Sequence, residues 1–574
     1  MTQTEQSQNF DDNLKQRKRQ IFYFRLVLIF VLLMSLTLIY IICFYSPPFV
    51  ISPATTRITS PLTPDGQVDF FRYAEEKYNN DPRIKTDDNG FRIFVRTFGN
   101  VFDSARADSY YTEQKYEKLG LDFNIPPTTS MPMSPTTITS KNYSDKILSR
   151  AWMPEEFPDT PELSDWIKSV DETLDLITEM IRKPIFVCPL ISVSKPSKNN
   201  PVNLWSLYSS ELNDCREISR LYTARANYRI AKGDIDGAID DTITIYQLGR
   251  HLAKEHRFMY SIVAALLERD AHSIPLNSNP NCPLTKEQIQ RLRNTIDQFP
   301  PSVNSSEIYE FERLVVLDSV QFMLRDLRAM KNIDSVNYKF YYTFLLFPYD
   351  KNMVFIRVNE AYDVAIGKKS GSFRDYSTWS DTNKTFVKHS LTSYGRGIII
   401  ADYLISQSIP AASFAKDVLN CNECAINMKH LTLALLLYKS EHGEFPKDNW
   451  VEKIKPYLGD DFARHLHCPA CLNKEKDKTN YALVMYDKLP KNQNVMQLIE
   501  LRDPVPFAQA TITAEETLRE FKLEKRDIKI FGHPAGINVA LQDGTVRFLS
   551  DSDYRREPDD YKKFQQLLDQ EPTE

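Results

Sequence analysis

The chain has 574 residues, with 71 Lys+Arg against 76 Asp+Glu, a formal net charge of −5 and a pI of about 6.1. That length suits two to four domains, and 42% hydrophobic with 12% aromatic residues exclude a disordered chain. The balance signals no clustered basic surface, which argues against a nucleic-acid partner. The 16 glycines against 33 prolines disfavour a Gly-rich repetitive β architecture.

Residues 1–20 read as a polar cytoplasmic tail, followed by a transmembrane signal anchor over 21–46. The core of the anchor is Leu26 to Tyr45, a 20-residue run without a charge. About 20 residues at 1.5 Å each cross a hydrocarbon core of roughly 30 Å. Pro47-Pro48 ends the helix, and Lys15, Arg17, Lys18, Arg19 and Arg25 precede it. The positive-inside rule therefore puts the N-terminus in the cytoplasm and the bulk of the chain outside. A cleaved signal peptide is the competing reading. The apolar run exceeds a usual h-region, and no A-x-A-like site follows Tyr45, so an uncleaved anchor is expected.

Residues 47–155 read as an extended, irregular segment, with a Pro/Ser/Thr-rich linker from Ile125 to Ser144. From 156 to 412 the pattern is helical. Trp166, Val170, Leu174 and Ile177 recur at helical spacing. Two helices meet at Lys232-Gly233-Asp234, in a run resembling one tetratricopeptide-type hairpin with Tyr228, Gly233 and Ala238 at packing positions; no second copy appears at the expected period. The acids Asp234/Asp236 and Asp240/Asp241 near that turn read as solvated. A further helix is expected over Glu307 to Met330, and the stretch from Phe340 to Ile356 reads as buried core.

Residues 413–574 form a smaller α+β part. Its helix is expected to open on Cys421-Asn-Glu-Cys424 and to carry an apolar stripe of Cys424, Met428, Leu431, Leu435 and Tyr438. Gly443 and Pro446 stop it. Strands follow at 479–486, 494–500, and on either side of Asp543-Gly544. A two-residue turn there pairs Leu541 with Val546 and Val539 with Phe548. The expected class is thus an α+β multidomain chain: a transmembrane helix, a mainly helical middle domain and a small α+β C-terminal domain.

His533 and Asp543, with nine residues between them, invite a catalytic dyad. The hairpin opposes it, because Asp-Gly is a turn signal and the strand carries His533 away. Cys421, Cys424, Cys468 and Cys471 form two C-x-x-C pairs. They fit a Cys₄ zinc site, with His430, His442, His465 or His467 able to replace a ligand. They also fit disulfides, which the oxidising compartment outside the membrane favours. No nucleophile elbow, zincin, phosphate-loop or dinucleotide motif is present, so no catalytic or cofactor-binding residue is assigned and no enzyme or small-molecule substrate is expected.

The segment from Cys421 to Asp551 resembles a bacterial family related to type II secretion pseudopilins, abundant in planctomycetes, with a C-terminal H-X9-DG motif. The matching residues are Cys424-Ala-Ile-Asn427-Met428-Lys429, Leu433-Ala434-Leu435, Tyr438, His442-Gly443-Glu-Phe445-Pro446, Cys468-Pro469, Thr479-Asn480-Tyr481, His533 and Asp543-Gly544. The resemblance implies a Cys424–Cys468 pair, with Cys421 and Cys471 as additions. One departure is that roughly 375 residues separate Tyr45 from Cys421, whereas the family's module helix continues from its membrane helix. Residues 60–70, 160–184, 224–241 and 311–320 are similar to membrane-anchored planctomycete proteins. The resemblance implies a scaffold or interaction protein with protein partners, linked to envelope or secretion assemblies. A zinc sensor or enzyme on the Cys/His cluster is the alternative.

Overall fold

The computed structural model describes residues 3–99, 109–131, 161–192, 202–204, 207, 211–279, 281–299, 305–325, 347–370, 391–459, 462–469, 478–485, 497–506, 511–513, 536–541 and 543–550. The chain is mostly helical. In order come α1 (Gln3–Phe44), α2 (Phe70–Tyr78), a 3₁₀ turn (Pro82–Lys85), α3 (Gly90–Phe98), α4 (Ser109–Lys118), α5 (Pro161–Ile181), α6 (Glu211–Lys232), α7 (Ile235–Ala253) and α8 (Phe258–His272). Then follow α9 (Lys286–Gln298), α10 (Ser305–Arg325), α11 (Lys351–Ala365), α12 (Ser393–His442), α13 (Trp450–Leu458) and the short α14 (Phe462–His465). Five strands follow among the described residues: β1 (Lys478–Met485), β2 (Gln497–Pro506), β3 (Thr511–Thr513), β4 (Gly536–Leu541) and β5 (Val546–Ser550).

Two compact units result. One takes Met1–Phe70 and Arg313–Pro410; the other takes Phe71–Glu312 and Ala411–Glu574. One division, between Pro410 and Ala411, falls within two residues of the boundary expected at 412, none falls at 155, and each unit joins two segments that are separated in sequence.

In the first unit, Arg17–Phe44 of α1 is long and apolar enough to cross a membrane: its most apolar 18 residues have a mean hydropathy of 3.0, and none of those 18 is buried. Its polar side chains are satisfied within the helix: Ser35 Oγ donates to the Val31 carbonyl and Thr37 Oγ1 to that of Leu33, both at 2.8 Å. The chain leaving this helix is pinned by side chains. Ser393 Oγ donates to the Tyr45 carbonyl at 2.5 Å, and Asn352 Nδ2 to that of Pro48 at 2.9 Å. Arg396 donates to the carbonyls of Cys43 and Pro348, which puts a cation at the helix C-terminus where orphan carbonyls accumulate. Met353, Val354 and Phe355 of α11 are buried, as expected for that stretch.

In the second unit, α6, α7 and α8 pack successively, and α5 lays Trp166, Val170, Leu174 and Ile177 into the same core. The α6–α7 turn falls as expected: Gly233 takes φ 82°, and Asp234 caps α7 by accepting from the Gly237 amide at 3.0 Å. Asp241 departs from expectation. It is buried, because α6 places Arg225 and Arg229 against it at 2.6 and 3.0 Å. The segment expected to be irregular holds α2, α3 and α4. The apolar side chains of α3 sit at Phe91, Phe94, Val95 and Phe98, one face of a nine-residue helix too short to show a long period. Asn89 starts it, accepting from the Phe91 amide while its Nδ2 donates to the carbonyls of Ile84 and Val187. Of the Ile125–Ser144 linker, 132–144 lie outside the described residues.

The C-terminal helix does not open at Cys421. It begins at Ser393 and runs 50 residues through Pro410 to Gly443, whose φ of 82° ends it. The expected stripe is correct: Cys424, Met428, Leu431 and Leu435 are buried against α13 and the sheet. A second face of the same helix, Leu433, Leu436 and Leu437, belongs to the core of the α5–α8 helices. The sheet has order β3-β1-β2-β4-β5, antiparallel except for β1 with β3.

The hairpin exists with a different register. Ala540 faces Val546, Val539 faces Arg547 and Asn538 faces Phe548, one residue from the expected alignment. The Leu541 amide donates to the Thr545 carbonyl, so three residues close the loop. Gly544 takes φ 83°, while Asp543 stays out of the left-handed region because its Oδ1 is held by the Thr545 amide and hydroxyl at 2.9 and 2.7 Å. A two-residue turn of the expected type needs positive φ at both centres.

Candidate functional site

The polar residues of α12 make the most unusual surroundings in the second unit. Asn427, Lys429 and His430 stand in an otherwise apolar stretch, and all three are buried. Buried polar groups persist where they find partners, and here each binds a different segment. Lys429 Nζ donates to the Gly544 carbonyl. Burial pushes its pKa down to about 8, against the pull of Asp543. The Asn277 amide donates to the Asp543 carbonyl at 3.0 Å. The Asp543-Gly544 turn is therefore buried and tied down from two sides. Asn427 Nδ2 donates to the His467 carbonyl at 3.2 Å, which orients its amide, and its Oδ1 faces His465 Nδ1 at 3.1 Å. An amide oxygen only accepts, so Nδ1 of His465 carries the proton and Nε2 the lone pair.

His430 lies against His465 with ring centroids 4.4 Å apart and ring planes tilted by 33°, and its Nδ1 lies 3.4 Å from Asp297 Oδ1. Asp297 arrives from the end of α9. That helix is set by a Thr285/Gln288 capping box and seated by Ile289, Leu292 and Ile296. Burial, and next Arg293, Arg464 and Arg250, hold the His430 imidazole down at about 3. Among the described residues, the group of His, Cys, Asp and Glu side chains that could hold a metal ion is Asp297, His430 and His465, whose ligand atoms lie within 4.8 Å of one another.

Of the residues singled out from sequence, Cys421, Cys424 and Cys468 are present as thiols. Cys424 and Cys468 are fully buried in one core cluster. Cys424 Sγ lies 3.4 Å from the Tyr481 hydroxyl, while half-buried Cys421 accepts at its carbonyl from Asn538 Nδ2 at 3.1 Å. The segment carrying Cys468 is sewn to β1: its amide donates to Asn480 Oδ1, and Thr479 Oγ1 donates to the Leu466 carbonyl. Cys471 and His533 lie outside the described residues. Cys188 and Cys215 are buried, and burial raises both thiols well above their ordinary range, which makes them poor nucleophiles. Sequence reasoning missed Asp297 altogether. The available signal was Asn427, Lys429 and His430, polar residues inside an apolar helix.

No family model, curated protein or solved structure matches this chain.

Proposed function

We propose that the chain is a single-pass membrane protein whose bulk lies outside the cytoplasm, in the periplasm. There it acts as a scaffold or interaction protein for an envelope or secretion assembly. The observation that carries this reading is the uncharged run Leu26–Phe44 within the Arg17–Phe44 helix, unburied by the rest of the chain. Such a surface is tolerable in lipid and not in water. The cations ahead of it orient the N-terminus inward.

The part on display is an α+β module of pseudopilin-like kind: a long helix, the short α13 and a five-stranded sheet sharing one core. Cys424 and Cys468 belong to that core, and their oxidation in the periplasm joins α12 to the segment ahead of β1. Zinc held by Cys421, Cys424, Cys468 and Cys471 is the alternative to this pairing, and thiol titration of the denatured chain separates the two. Two thiols fewer than in the reduced chain support the disulfide; a full count with bound zinc opposes it.

The interaction role is tested by photo-crosslinking from Glu444 and Lys447, exposed beyond the end of α12. Discrete adducts with envelope proteins in intact cells are expected. Their absence from these and other exposed module positions contradicts the role.

A further inference from the structure

We propose that His430, His465 and Asp297 form a binding site for a d-block divalent cation of the zinc class, fastening α9, α12 and α14 to one another. The three side chains come from positions far apart in sequence and present two nitrogens and one oxygen within 4.8 Å. A tetrahedral zinc ion with bonds of about 2.0–2.1 Å sets its ligand atoms about 3.3 Å apart, so a short inward movement completes the set. The outer support is in place. Asn427 fixes the tautomer of His465 and is itself anchored to the His467 carbonyl, the kind of partner that orients metal-bound imidazoles. His430 and His465 are buried, whereas the Asp297 side chain is 42% exposed, which leaves an entry path and a coordination position open to water.

The charges around the site decide which cation it takes. Arg293 lies 3.5 Å from Asp297 Oδ2, and Arg464 and Arg250 also face His430. Arg250 is matched by Glu268 at 2.8 Å, and Arg293 has Asp297 itself. The surplus of guanidinium charge repels any cation held by electrostatics alone. Magnesium and calcium, which want several hard oxygen ligands, find one carboxylate here. Zinc and its d-block neighbours bond to imidazole nitrogens, and two of the three ligand atoms gathered here are imidazole nitrogens. The alternative is a tilted histidine pair whose only role is packing.

This inference is independent of membrane orientation and of the cysteine pairing, and its test separates it from both. The full chain, purified in detergent without a histidine tag and stripped with chelator, is titrated with zinc chloride and, separately, with cobalt and magnesium chlorides. The expected result is one zinc per chain and a raised unfolding temperature. Cobalt should give a d–d spectrum without a thiolate charge-transfer band, and magnesium should have no effect. His430→Gln and His465→Gln should each weaken binding by about 100-fold or more, and Asp297→Asn, at a half-exposed position, by about 10-fold. Substituting Cys421, Cys424, Cys468 and Cys471 by serine should leave the affinity unchanged. The proposal is overturned if the folded, stripped chain takes up no zinc, if cobalt shows thiolate coordination, or if Asp297→Asn and the histidine variants bind as the parent does. Circular dichroism of each metal-free variant identifies any loss of binding that comes from misfolding, and Asp297→Asn then decides.

Discussion

Asn427 and Arg225 show how single polar side chains hold this protein together from inside apolar surroundings. Arg225 is only 2% exposed and reaches Asp241, Asp171 and Asp175 at once, tying α6 to α7 and α5. Removing one partner of a buried pair leaves the other charge uncompensated. Asp241→Ala should therefore lower stability by about 3 kcal/mol in chemical denaturation, more than a surface Asp→Ala such as Asp236→Ala. His251 gives the pH counterpart. Burial pushes its imidazole down to about 4 even though Nε2 bonds the Ile181 carbonyl at 2.9 Å. Below about pH 6.5 the unfolded chain binds the proton that the folded chain refuses, so stability falls as pH drops from 6.5 through about 4. His251→Gln removes that term. Against the parent it should gain up to roughly 3 kcal/mol in relative stability between pH 7 and pH 4, measured by denaturation at each pH. At this scale the sequence was partly legible. Asn427, Lys429 and His430 stand out as polar residues in an apolar run. Asp297 does not, because nothing in a single sequence brings α9 beside α12.

Among elements, backbone geometry decides more than side-chain pattern. Gly90 starts α3 where a Cβ would meet the Met180 carbonyl oxygen at 1.9 Å, so α3 and the end of α5 touch through their backbones. Gly90→Ala should cost several kcal/mol, about the size of a severe core substitution. At Gly544 a Cβ meets only Leu436 Cδ1 at 4.0 Å, and the obstacle is the φ of 83°. Gly544→Ala should cost about 1–2 kcal/mol and Gly544→Asn less, a ranking that thermal unfolding can check. The same turn explains the misjudged register. Asp-Gly announced a turn correctly, but Asp543 uses its carboxylate to cap Thr545, leaving one positive-φ residue and a three-residue loop. The stripe on α12 was legible because Cys424, Met428, Leu431 and Leu435 follow helical spacing. The helix start was not: Cys421 looked like an opening, whereas the helix begins at Ser393 and continues through Pro410, which forfeits a helical hydrogen bond. Leu433, Leu436 and Leu437 reveal the reason the run is apolar on two faces, since they fill a second core.

For the whole molecule, each compact unit draws on early and late parts of the chain. Composition cannot disclose this, because long-range packing leaves no local periodicity. The apolar run near the N-terminus, by contrast, is legible from sequence alone and is a helix in the structure. We propose that this helix anchors the chain with its bulk outside the cytoplasm. The most direct measurement places alkaline phosphatase or a green fluorescent reporter after Glu574 in a bacterial host. High phosphatase activity with a dark fluorescent fusion, both remaining with the membrane fraction, is the predicted result. A fluorescent fusion with inactive phosphatase, or release of the chain from membranes in mature form, would contradict it.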